Sequence, residues 1–142
     1  MSKDLPSALA RAARLSRYVR DLLGAQPGLA TAVPLDTALD RAWMRAQIEG
    51  RNDDPALKSA LRRLRKAVML ALITRDLDGR ANLAEVLATV TALAEETVAA
   101  AAASQAQWLA REFGNPLGAI SGHKQQLHII AMGKLGGGEL NV

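Results

Sequence analysis

The residues best suited to chemistry lie near the C-terminus. Gly133, Lys134, Leu135, Gly136, Gly137, Gly138 and Glu139 follow a short apolar run at residues 126–132, whose adjacent isoleucines read as a strand. A strand entering a glycine-rich turn and then a helix start is a common phosphate cradle. Glycine lets backbone N–H groups approach an anion, and a helix N-terminus adds a favourable dipole. On glycine content alone, however, a plain flexible turn is the stronger reading. The spacing is not a Walker A loop, because no Gly-Lys-Ser or Gly-Lys-Thr follows, and it is not a dinucleotide fingerprint.

Other candidates are fewer. The absence of Cys excludes a disulfide framework, Cys-ligated zinc and thiol catalysis, and fits a cytosolic protein. His123 and His128 lack the spacing and companions of a metal site, so no metal ligand is expected. Lys58, Arg62 and Arg65 share one helical face, with Arg63 and Lys66 nearby. That face is either solvated or meets an acidic partner or nucleotide phosphates. Nucleic-acid binding is disfavoured, since no recognition-helix pattern stands out and aromatics are scarce.

These residues must be positioned by a helical chain. Its 142 residues suit one domain. The composition is 49% hydrophobic but 3% aromatic, and roughly one residue in five is alanine, which disfavours an all-β fold. Mean hydropathy is +0.02, the net charge +4 and the pI near 10.0. Periodicity predicts a first helix over 7–23, with Arg11, Arg14, Arg17 and Arg20 on its polar side, then a loop or single turn over 26–34. A second helix is expected to start at Asp36 and carry Leu35, Leu39, Trp43 and Ala46 to a stop at Gly50. Asp53, Asp54 and Pro55 open a third, over 55–77, with Leu57, Leu61, Leu64, Val68 and Leu72 inward. Asn82 and Glu85 resemble a capping box for a fourth, over 83–113, which Gly114-Asn115-Pro116 ends. Trp43 and Trp108 are expected as core anchors. No membrane span is expected, because the low-charge stretch at 98–108 is short and mostly alanine. A transit peptide fits residues 5–23 less well than an ordinary first helix.

The run Ile129-Ile130-Ala131-Met132-Gly133-Lys134-Leu135-Gly136-Gly137-Gly138-Glu139-Leu140-Asn141 closely resembles a signature of the glutamine synthetase adenylyltransferase/adenylyl-removing enzymes. There an apolar strand leads into Gly-Met-Gly-Lys-Leu-Gly-Gly-Gly-Glu-Leu-Asn, so Ala131 replaces the first glycine. Residues 16–23, 61–66 and 75–77 look like the family's earlier helices. Trp108, Phe113-Gly114 and Pro116 look like the helix end before its catalytic strand.

The resemblance implies a mainly α fold. Four or five helices over 1–116 would lead into the first strand and glycine turn of a polymerase-β-type nucleotidyltransferase domain at 117–142. It implies the N-terminal, adenylyl-removing region of a bifunctional enzyme regulating nitrogen assimilation. That region removes AMP from a tyrosine of glutamine synthetase by phosphorolysis, releasing ADP, while a second domain attaches AMP from ATP. Implied partners are glutamine synthetase and a PII signalling protein, and the implied location is cytoplasmic. Gly136, Gly137 and Gly138 match the phosphate-binding turn, with Lys134 beside it. The family's Mg2+-binding pair lies in Ser-Ser-Asp-Ile-Asp-Leu, beyond Val142, and Glu139 cannot replace it. This polypeptide alone is therefore expected to be inactive, with no catalytic residue of its own and no productively bound Mg2+, ATP or ADP. A lone strand at 127–132 should dock on the helices, stay weakly ordered or pair with a second copy. The alternatives are a non-catalytic helical regulatory or interaction module and a basic nucleic-acid-binding helical protein.

Overall fold

A computed structural model describes residues 4–51 and 54–140. Asp53, Asn141 and Val142, named above, lie outside the described residues. The described chain is mainly helical: α1 (Leu5–Leu15), α2 (Arg17–Ala25), α3 (Leu29–Ala32), α4 (Arg41–Ile48), α5 (Asp54–Leu77), α6 (Leu83–Phe113) and the single turn α7 (Gly133–Gly136).

The predicted first helix is two helices. Ser16 adopts an extended backbone (φ −113, ψ 116), and its Oγ accepts the Val19 N–H at 3.3 Å. A serine that caps the following helix competes with continuing the preceding one. The second predicted helix starts later than Asp36. Asp40 is the N-cap, its Oδ1 accepting the Trp43 N–H at 2.8 Å. Leu35 and Leu39 still reach the core, but from the linker rather than from a helical stripe. That linker is pinned by Arg75, whose Nη1 donates to the Asp36 carbonyl at 2.7 Å.

The long helices match their periodicity. In α5, Leu57, Leu64, Val68 and Leu72 are buried and Leu61 is half-buried. Asn82 Oδ1 accepts the Glu85 N–H at 2.9 Å, which is half of a capping box. The Glu85 carboxylate turns instead to Arg75, 2.7 Å away. Helices α1, α2, α4, α5 and α6 pack around Ala12, Val19, Met44, Leu64, Val68 and Leu70. Trp43 lies against this core, as expected. Trp108 does not: half its surface is exposed, and it makes only an edge-on contact with Phe113 at 6.3 Å between ring centres.

Helix α6 is long and apolar enough to cross a membrane by length and composition, which corrects the expectation that no segment is. Its packing is that of a bundle helix. Val86, Thr89, Ala92, Leu93 and Glu96 are buried, and Glu95 and Glu96 pair with arginines of α4. Carboxylates at a helix centre are costly in hydrocarbon and inexpensive when paired at a wet helix seam.

Beyond Phe113 the character changes. No residue at 114–140 is buried. The strand expected at 126–132 does not form among the described residues. The pairing there is one isolated antiparallel bridge, Leu117 with Lys124. An extended segment gains stability from a neighbouring ladder, and none lies beside this one. Leu127, Ile129, Ile130 and Met132 are left exposed.

Candidate functional site

The glycine segment is a single helical turn rather than an open loop. Gly133 (φ +61) turns the chain into α7, and Gly138 (φ +71) turns it out, both in the left-handed region that glycine adopts without steric cost. Gly136 approaches the backbone so closely that a Cβ there would sit 2.5 Å from the Ala131 carbonyl oxygen. The apolar run and the turn are thus locked together at a point only glycine fits.

This geometry redistributes the expected phosphate donors. The Gly136 N–H donates to the Met132 carbonyl (3.4 Å), Gly137 to Gly133 (2.9 Å), Gly138 to Leu135 (3.2 Å) and Glu139 to Lys134 (2.7 Å). The N–H groups of Gly136, Gly137 and Gly138 are therefore already engaged. Those of Gly133, Lys134 and Leu135, in the first turn of α7, donate to no acceptor among the described residues. Lys134 is exposed and makes no ion pair there. The Glu139 side chain folds back over the turn, its carboxyl carbon 3.7 Å from where a Gly137 Cβ would stand.

Metal ligands are a different matter. Among the described residues, no group of three or more His, Cys, Asp or Glu could hold a metal ion. His123 and His128 are exposed. The sequence does contain one Asp-x-Asp spacing, Asp76-Leu77-Asp78. It sits at the end of α5, where Asp78 is buried with its Oδ2 2.7 Å from Arg80 Nε, while Asp76 faces solvent. The two carboxylates diverge, and one is already neutralised. The residues present therefore do not fit a Mg2+ site, and no chemical step is derived through one.

The most concentrated charge chemistry joins α4 to α6. Glu96 is buried and accepts from Arg45 Nε (2.7 Å) and Nη2 (2.8 Å) and from Arg41 Nη1 (3.2 Å), while Arg41 also holds Glu95. Hydrogen bonds from Arg45, and then Arg41, hold the Glu96 carboxyl below its ordinary range despite its burial. An open groove of about 480 Å³ runs beside it, lined by Ala42, Arg45, Ala46, Ala99 and Ala100 among others. The small side chains of Ala99 and Ala100 line this groove with Ala42 and Ala46 of α4. With no nucleophile and every named charge paired, this cluster fastens helices.

Comparison with known proteins agrees with the terminal motif. The family model described as glutamate-ammonia ligase adenylyltransferase matches residues 6–142. The chain is similar to proteins named bifunctional glutamine synthetase adenylyltransferase/adenylyl-removing enzyme. The one from Aromatoleum aromaticum is 44% identical over 99% of this chain and 15% of its own length. The one from Chromobacterium violaceum is 42% identical over 100% and 16%. The one from Nitrosomonas eutropha is 51% identical over 63% and 10%. The chain thus spans about 15% of the length of the first two relatives. No solved structure matches it. A helical chain ending in this glycine turn, matched along nearly its whole length, belongs to the glutamate-ammonia ligase adenylyltransferase family.

Proposed function

We propose that the chain is the helical lead-in and phosphate-contacting turn of an adenylyl-removing unit acting on glutamine synthetase in the cytoplasm. Residues 1–116 form its scaffold, and 117–142 begin a polymerase-β-type nucleotidyltransferase core. The observation carrying this reading is the Gly133–Gly138 turn, whose Gly136 fits only as glycine and whose first three N–H groups lack acceptors among the described residues.

The reaction is phosphorolysis of the phosphodiester joining AMP to a tyrosine. A phosphate oxygen forms a bond to the AMP phosphorus, the bond from phosphorus to the tyrosine oxygen breaks, and that oxygen takes a proton. The products are ADP and free tyrosine. Lys134 would add a point charge beside the attacking or transferred phosphate, and Gly136, Gly137 and Gly138 would shape the turn against it. Mg2+ would supply charge neutralisation through carboxylates that the described residues do not furnish. The 142 residues alone are therefore proposed to be inactive, with PII as a regulator of the intact enzyme.

A chimera tests the function. This chain replaces the matching segment of the Chromobacterium violaceum relative, and ADP release from adenylylated glutamine synthetase is followed with phosphate and Mg2+. Retained ADP release is expected, falling at least tenfold with Lys134→Ala, a loss in the range of removed transition-state contacts at ~10²–10³. A chimera that adds AMP but removes none would overturn the assignment to the removing unit.

A further inference from the structure

The net charge of +4 is unevenly placed. Residues 4–25 and 54–66, on α1, α2 and the start of α5, carry nine Lys or Arg against three Asp or Glu. The other described residues carry eight against ten. Helices α1, α2 and α5 pack on one another, so one group of helices holds the positive excess. Outside those two segments Arg41, Arg45, Arg75 and Arg80 are spent on carboxylates.

The excess is densest on α5. Lys58 is paired with Asp54 at 2.5 Å. Arg62, Arg63, Arg65 and Lys66 then follow within five residues, about 6 Å of helix rise. None makes an ion pair among the described residues, and no acidic residue occurs between Pro55 and Arg75. Arg62 faces Arg65 and Lys66 at spacings of three and four, where like charges repel. Arg62, Arg63 and Arg65 are exposed and Lys66 half-buried; Arg11 and Arg14 of α1 are also exposed and make no ion pair among the described residues. A repelling cluster gains most from an anionic surface laid against it.

We propose that the Arg62–Lys66 face of α5, with the arginines of α1, a helix that packs on α5, docks an acidic surface of the protein substrate. This rests on glutamine synthetase being that substrate. A protein fits better than a membrane, because the apolar sides of α1, α2 and α5 are largely consumed in the core, and Leu15 is the one large apolar side chain that these helices leave exposed among the described residues, too little to insert. It fits better than nucleic acid, because this face has no exposed aromatic for stacking: Tyr18 is half-buried, and the other aromatics lie at 43, 108 and 113.

The test measures binding of the chain to immobilised adenylylated glutamine synthetase at low and moderate salt, beside a duplex DNA. The unsubstituted chain should bind the enzyme, with affinity falling as salt rises. Arg62→Glu with Arg65→Glu should weaken binding about tenfold or more, as expected for charges steering and holding a complex. Its melting temperature should be unchanged or higher, because repulsion is relieved; a structural role would lower it. Arg111→Glu on α6 should bind normally. Equal binding by the α5 double variant, or tighter binding of DNA than of glutamine synthetase, overturns the proposal. If the chimera still releases ADP while the double variant binds normally, the docking face fails and the function stands. If the unsubstituted chain does not bind glutamine synthetase at low salt, the docking face is overturned outright, and the chimera decides the function separately.

Discussion

Arg75 follows the uncharged run 67–74 by sequence and proves to be an internal tie. It is 8% exposed, donates to both Glu85 oxygens and also holds the Asp36 carbonyl. Arg75→Ala leaves a half-buried carboxylate and the Asp36 carbonyl without their donor and should cost about 2 kcal/mol in urea unfolding. Glu96 gives a pH signature. Its carboxyl is held below the ordinary range by Arg45 and Arg41 in the folded state, so its stabilisation is fully present above the unfolded value of about 4.3 and is lost as pH falls through the lower folded value. Urea midpoints should drop on acidification below that range, and less steeply in Glu96→Gln. Gly136→Ala places a Cβ 2.5 Å from the Ala131 oxygen and must move backbone. Amide resonances of 131–138 should shift in that variant while those of α5 stay fixed.

At the scale of elements, legibility followed the strength of the local signal. Helices α5 and α6 were readable to within a residue, because unbroken apolar spacing and the Asn82 and Gly114 punctuation agree. The break at Ser16 was not, because Val19 and Leu22 keep the apolar phase of Ala8 and Ala12 across it. Ser16→Ala should cost about 1 kcal/mol, the usual worth of an N-cap, and a gain in helicity would contradict the capping geometry. Leu35 and Leu39 have helical spacing but lie in a linker, since burial rewards an apolar residue in any backbone conformation. The 126–132 run has strand composition without a strand, because pairing is a tertiary property that composition cannot supply. Of the candidate site, the glycine turn was legible from its residues. The commitment of the Gly136–Gly138 N–H groups was not, since it depends on carbonyls at 132, 133 and 135 turning inward.

The whole molecule divides by packing. Five helices and the 33–39 linker hold most of the buried residues, while the segment bearing the family motif has its apolar side chains exposed. Leu127, Ile129, Ile130 and Met132 on that segment, and Trp108 and Phe113 near the end of α6, are exposed apolar side chains. In the proposed function the bundle would supply position and charge and the turn would supply N–H groups and Lys134, while the described residues hold no group of three or more His, Cys, Asp or Glu for a metal. The most direct test is ADP release from adenylylated glutamine synthetase with phosphate and Mg2+, by the 142-residue chain and by the chimera in parallel. ADP should form with the chimera and not with the chain alone; ADP from the isolated chain, or none from the chimera, would contradict the assignment.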